Sequence, residues 1–353
     1  MSTRLPATTA TDQTNHSTDA AIDGRAGDAA DPAGVSNSPR RGPPVAWARP
    51  DRLELPSAVT GRIVWRYALP IVTVHALALL ALAPWLFSWT GVVLLVTGIY
   101  FYGGLGINIA YHRMLTHRSF KAPLWLERCL VFVALCCMED APGSWVATHR
   151  AHHHDTDERP DPHSPLVNFF WSHMGWLLIE NRDVRSYSAY ERYARDILRD
   201  PFYMKLQRQM LPLWIYAAHA AAYYLVALAV GYFAFGGWSE GIQFGASVLV
   251  WGVILRTVCV WHISWTVNSL SHLFGYRNYP TQENSRNNWL VALLTSGEGW
   301  HNNHHEDPAS ASNQHRWWEL DPMWMIIRGF EMCGLATDVV RPRQVRRRLL
   351  KSN

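Results

Sequence analysis

From Tyr67 to His112 the chain carries no Asp, Glu, Lys or Arg, and an uncharged run of that length has few ways to fold. It leaves room for two apolar spans of about 20 residues each, joined by a short turn at Pro84 to Thr90. A second such pair lies in 209–276, interrupted only by Glu240 and Arg256, with Gly236, Gly237 and Gly241 marking its turn. The expectation is an all-α integral membrane protein with four transmembrane helices in two hairpins, at about 64–86, 90–112, 211–236 and 241–267. Composition agrees: 17% of the residues are charged and 49% hydrophobic, whereas soluble domains carry roughly 25% charged residues. A mean hydropathy of −0.09 conceals the spans, because polar segments dilute them.

The 32 basic and 28 acidic side chains leave a net charge of +4, which supports no nucleic-acid reading. Their placement is more informative. Both hairpin turns lack Lys and Arg, whereas Arg62, Arg66, Arg113, Arg118, Lys121 and the tail from Arg341 to Lys351 flank the other ends. By the positive-inside rule, both termini and the two long segments 113–210 and 273–340 face the cytoplasm from a multi-pass protein of the cell membrane. Residues 1–50, rich in Ala, Thr, Asp, Gly, Ser and Pro, have no apolar periodicity and read as a disordered, solvated head without a secretory signal. The membrane domain is then 51–340, followed by a basic tail at 341–353. Leu124 to Met138, broken by Glu127 and Arg128, is too short to cross a bilayer and reads as an interfacial or buried helix. The five cysteines form no C-x-x-C pattern, so neither a disulfide framework nor a thiolate zinc site is expected.

Chemistry is carried by histidine. Three groups stand out: His112-x-x-x-x-His117, His149-x-x-His152-His153 and His301-x-x-His304-His305, with His272 four residues after Asn268. Helical positions i, i+3 and i+4 share one face, so each of the last two groups is expected to present three imidazoles to one point. His112 and His272 sit where the second and fourth spans should leave the membrane, on the side chosen by the charge rule. A structural zinc closes at four ligands; nine imidazoles fit two metals better. Imidazole suits iron, copper, nickel and zinc alike, so the ligands do not identify the ion.

These motifs resemble the membrane fatty acyl desaturases. The likeness runs through His112-Arg113-Met114-Leu115-Thr116-His117-Arg118, His149-Arg150-Ala151-His152-His153 with Asp161-Pro162-His163, Asn268 to His272-Leu273-Phe274-Gly275-Tyr276-Arg277, and Gly297-Glu298-Gly299-Trp300-His301-Asn302-Asn303-His304-His305. It covers about 60 to 310, in order relative to the four spans, and its detailed form is similar to the acyl-CoA Δ9 branch. The resemblance implies a cytoplasmic helical cap holding two iron ions (Fe2+), O2 as co-substrate, and insertion of a cis double bond into a long acyl chain. Carried over, the metal ligands are His112, His117, His149, His152, His153, His272, His301, His304 and His305, with Asn268 acting through a water. With no haem segment, dinucleotide fingerprint or iron–sulfur pattern in the chain, electrons are expected from a ferredoxin or cytochrome b5-like donor with its NAD(P)H reductase. Hydroxylation or carotenoid oxygenation on the same framework is the alternative.

In animal acyl-CoA desaturases an Arg-Asp pair before the second histidine group helps hold the CoA; here the residues are Ala147 and Thr148. The substrate is therefore a long-chain acyl-CoA, an acyl-lipid or a carrier-protein ester, with Arg118, Lys121 and Arg150 as the candidate phosphate contacts and Tyr100 or Tyr102 as a limit on chain length. The basic tail suits anionic membrane lipids or an acidic electron donor. Glu298 is placed to orient a ligand imidazole, and His163 to brace the site. His154 should point away from its neighbours. His75 and His219, mid-span, read as helix–helix hydrogen-bond partners, although facing each other they would suit a haem. Gly103, Gly104 and Gly106 either let helices pack closely or widen an acyl tunnel.

Overall fold

A computed structural model describes residues 52–208 and 210–352 of the chain; the N-terminal segment assigned to residues 1–50 lies outside them. Four helices are long and apolar enough to cross a membrane: Trp65–Leu82, Trp89–Thr116, Leu211–Phe235 and Trp238–Leu273. The first stops short of its expected end because Pro84 opens a separate turn at Pro84–Leu86. The second and fourth overshoot theirs, carrying His112 and His272 inside helices rather than at their ends. The third and fourth spans form the tightest hairpin. Its turn uses Gly236 and Gly237 at φ of 118° and 130°, which glycine adopts without steric cost. Further along this pair, a Cβ on Gly231 would come within 2.8 Å of the Gly241 Cα.

From Ile99 to Thr116 the second span takes the wider π winding, with hydrogen bonds from residue i to i−5. Its inner face is buried almost continuously from Gly106 to Thr116. The helix Leu124–Leu135 lies against it, burying Leu126, Leu130, Val131, Ala134 and Leu135 while exposing Leu124, Trp125 and Phe132. Gly106 allows this contact, since a Cβ there would sit 2.7 Å from the Ala134 backbone. Gly103 and Gly104 instead line a narrow pocket, so the close-packing expectation for the glycine stripe is met at Gly106. Trp261 and Trp265 of the fourth span stack with ring centroids 5.9 Å apart and pack on Ile71 and Val74 of the first.

The protein is not entirely helical: strands Val59–Ile63 and Ile179–Asn181 pair antiparallel. Helix Pro142–Asp155 and the short helix His301–Glu306 meet the polar ends of the second and fourth spans, and these four elements carry the histidines. Arg343–Ser352 ends the chain as a helix.

Candidate metal centre

The nine histidines converge on two points. His112, His117, His149, His153 and His304 form one group; His152, His272, His301 and His305 form the other, with the ligand atoms of each group within 4.8 Å of one another. In the first, Nε2 of His304 lies 3.1 Å from that of His112 and 2.9 Å from that of His153, and Nε2 of His149 and His153 are 3.1 Å apart. In the second, Nε2 of His301 lies 3.0 Å from those of both His272 and His305.

This partition corrects the expectation that each triplet points to one place. His149 and His153 go to the first group and His152 to the second; His301 and His305 go to the second and His304 to the first. The cause is helical geometry. Position i+3 lies about 60° to one side of i and i+4 about 40° to the other, so an i, i+4 pair meets at one point while i+3 turns to the neighbouring one. His112 and His117, five apart, would diverge by about 140° on an α-helix. The π winding brings them together: the His117 N–H donates to the His112 carbonyl at 3.1 Å, and the rings lie 4.7 Å apart.

Carboxylates stand behind the rings. Glu298 Oε2 is 2.9 Å from His112 Nδ1, Asp161 Oδ1 is 3.0 Å from His152 Nδ1, and Asp157 Oδ2 is 3.0 Å from His272 Nδ1. Asp161 and Asp157 thereby fix a tautomer that leaves Nε2 free to bind a metal, whereas Glu298 meets His112 as a close charge contact. Glu298, offered by its sequence position, is buried; Asp157 was not anticipated, being separated from its histidine by more than a hundred residues. His163 stacks 4.4 Å from the His152 ring, and its backbone N–H donates to Asp161, so it braces the second group. His154 is exposed beside Asp155, away from both groups. Trp145 stacks on His149 at 5.0 Å.

Arg113, which the charge rule treats as a membrane-surface anchor, is buried. It pairs with Glu298 at 2.8 Å and Asp321 at 3.0 Å, linking the residue after one ligand to the carboxylate that orients it. Burial pushes the Glu298 carboxyl up, but Arg113 and His112 outweigh it and hold it at about 2. Asp157 and Asp161 likewise stay below the usual carboxylate range, burial being outweighed by His272 and His152 respectively. Burial, then mutual repulsion, holds His117, His149, His153, His301, His304 and His305 well below the ordinary imidazole range. They are neutral near pH 7, as metal ligation requires.

The donor set fits two metals. Nε2 of His117 and of His152 are buried without a hydrogen-bond partner, an arrangement that is costly unless an ion completes it. Separations near 3 Å are those of donors at right angles around an ion with roughly 2.1 Å bonds. Asn268 lies one turn before His272 on the same helix.

The narrow pocket lies between the second and fourth spans, lined by Asn108, Ile263, Ser264 and Thr295 as well as Gly103 and Gly104. Beside it an apolar groove of about 460 Å³ is lined by Tyr100, Phe101, Leu105 and Met323. Tyr100 is thus at the groove, 41% exposed, while Tyr102 is buried and bonded to Tyr223 and His219. His75 pairs with His262 at 3.0 Å; the two mid-span histidines bond to different partners and do not face each other across a haem. Arg150 spends its guanidinium inside the chain, on Asp196 and the carbonyls of Leu115, Thr116 and Tyr193. Arg118 also pairs with Asp196, and Lys121 with Asp338, both on the surface.

Comparison with known proteins agrees with this site. The family model described as fatty acid desaturase matches residues 83–333. The chain is 40% identical over 278 residues to an sn-1 stearoyl-lipid 9-desaturase of Anabaena variabilis, covering 79% of this chain and 94% of that protein. It is 39% identical over 277 residues to a Delta-9 acyl-lipid desaturase of Arabidopsis thaliana, covering 78% and 82%, and 40% identical over 279 residues to an acyl-CoA 5-desaturase of Anemone leveillei, covering 79% and 81%. With its four spans and its two histidine groups, the chain belongs to the membrane fatty acid desaturase family, oxidoreductases that act on acyl-lipid or acyl-CoA.

Proposed function

We propose that this desaturase inserts a cis double bond at the Δ9 position of a long saturated chain esterified to a membrane lipid. The observation that carries this reading is that the second and fourth spans, which wall the narrow pocket, carry His112, His117 and His272 at their polar ends, so an acyl chain lying between these spans would run toward the histidine groups. Two iron ions bound there, reduced from outside and supplied with O2, would supply the oxidising power needed to remove two hydrogens from an unactivated methylene pair. Two electrons and two protons complete the reduction of O2 to two waters. A ferredoxin or cytochrome b5-like protein with its NAD(P)H reductase delivers the electrons.

The chain's own residues position and exclude. His112, His117, His149, His153 and His304 would hold one ion, and His152, His272, His301 and His305 the other, with Asn268 acting through a water. Asp157 and Asp161 keep their rings in one tautomer. Gly103 and Gly104 leave width for the acyl chain, and where it stops relative to the ions sets which carbons react.

Two features favour a lipid ester over CoA. Ala147 and Thr148 are buried and uncharged, and Arg150 is occupied within the chain. The groove beside the pocket is apolar, as entry from a bilayer requires. Arg118 and Lys121, exposed in their surface pairs with Asp196 and Asp338, can exchange those partners for a head-group phosphate. Tyr100, lining the groove, limits chain length. The absence of Lys and Arg from both hairpin turns supports a cytoplasmic centre with both termini on that side.

The test is the fatty acid profile of cells expressing the chain with a ferredoxin and its reductase, with double bonds located by mass spectrometry, beside His301→Ala and Tyr100→Ala. A new cis Δ9 acid found first in the lipid fraction and absent from His301→Ala is expected, with an altered chain-length preference in Tyr100→Ala. Unsaturation appearing first in the acyl-CoA pool would refute the lipid assignment, a Δ5 or Δ7 product the regiochemistry, and hydroxylated acids the reaction.

A further inference from the structure

The segment Trp317-Trp318-Glu319-Leu320-Asp321 is inverted relative to ordinary burial. Trp317, Trp318 and Leu320 are exposed at 86%, 53% and 54%, while Glu319 and Asp321 between them are fully buried. Carboxylates are almost never placed inside unless they are paired or hydrogen-bonded. Asp321 has its cation, Arg113. Glu319 is held instead by six neutral donors: Tyr276 Oη, Asn278 Nδ2 and Asn287 Nδ2 at 2.6, 2.6 and 3.4 Å to Oε1, and Asn303 Nδ2 and the backbone N–H groups of His315 and Arg316 at 2.7, 3.0 and 2.7 Å to Oε2.

We infer that Glu319 is a positioning residue for both metal ions, acting through the helix His301–Glu306; this rests on the two-metal reading of the site. The helix has six residues, too few to be stable by itself, yet it supplies ligands to both groups. Asn303 lies between the ligands His301 and His304. Its Nδ2 donates to Glu319 and to the Asn313 carbonyl, and its Oδ1 accepts from Asn278 and Asn287. Asn287 Oδ1 in turn accepts the backbone N–H groups of Asn302 and Asn303. Glu319 therefore gathers the amides that set the rotation of this helix about its axis. A rotation would move His301 and His305 from one ion and His304 from the other together. Asp161, by contrast, touches a single ligand ring, His152, and should influence one ion only.

Cobalt(II) titration of the purified, metal-stripped full chain, followed by visible absorption, tests this. The wild type is expected to take two ions. Glu319→Gln, which presents an NH2 to donors or removes one acceptor, is expected to weaken both binding steps about 10- to 100-fold and to shift both sets of bands. Asp161→Asn should weaken one step. A second arm covers the case in which Glu319→Gln does not fold. Asn303→Asp sets a carboxylate against Glu319 and is likewise expected to weaken both binding steps together. Unchanged steps and bands in Glu319→Gln or in Asn303→Asp, or weakening of one step alone in either variant, would each overturn the assignment. A wild type that takes no cobalt removes the metal reading and this one with it. A wild type that takes two ions but makes no unsaturated acid removes the desaturase reaction and leaves this assignment standing.

Discussion

Glu139 offers the most quantitative test of how this interior is built. It sits outside the spans, and its Oε2 accepts from Ser264 Oγ at 3.1 Å, while its Oε1 is buried with no partner. Burial is the leading cause that pushes the carboxyl from 4.5 up to about 8, against smaller opposing hydrogen bonds. The folded protein therefore holds Glu139 protonated at pH 7, where the unfolded chain would ionise it. A folded-state value raised above the unfolded one contributes stability that is full below about pH 4.5 and is lost as pH rises through about 8. The gap between those values corresponds to about 5 kcal/mol, at about 1.4 kcal/mol per pH unit. Glu139→Gln keeps the shape and an acceptor for Ser264 but cannot ionise. The two proteins should melt within a few degrees of each other near pH 5. By pH 9 the wild type should fall about 5–10 °C below the variant, taking roughly 2 °C per kcal/mol for a chain of this size. The assay is thermal unfolding of both proteins in one detergent from pH 5 to 9, with ionic strength fixed. A difference in melting temperature that does not change with pH would refute the reasoning, as would a wild type that gains on the variant at alkaline pH.

Two further substitutions probe the packing around the site. Arg113→Met leaves Glu298 and Asp321 buried without their cation, and should cost about 3–5 kcal/mol together with a change in metal binding through His112; a melting temperature equal to that of the wild type would count against the buried ion-pair description. Gly106→Val places atoms where the Ala134 backbone already lies at 2.7 Å from a Cβ, and overpacking of this kind costs about 1–3 kcal/mol; retention of wild-type stability in detergent melts would mean that the helix Leu124–Leu135 is not pressed against the second span as described.

Much of the architecture is legible in residue order because the membrane imposes a simple rule. An uncharged run such as Tyr67 to His112 has to satisfy its backbone groups within helices, and the count of spans follows. The gathering of the nine histidines is legible for a similar reason: imidazoles repeated at helical spacings beside the span ends have few other uses. What residue order left undecided is which imidazole joins which group. His152 and His153 are neighbours in the chain, yet about 100° separates their directions on a helix, and only the approach of the helix His301–Glu306 settles which point each one meets. The pairing of His112 with His117 depends on a winding that helical propensity does not announce. Arg113 reads as a surface cation from its position after a long apolar run, and becomes a buried brace only because Glu298 and Asp321, far away in the chain, fold against it. Asp157 and Glu319 are invisible for the same reason. A local pattern reports which groups are present and which face of an element they share, whereas burial and partnership depend on what other elements bring to that face, and only the tertiary structure decides that.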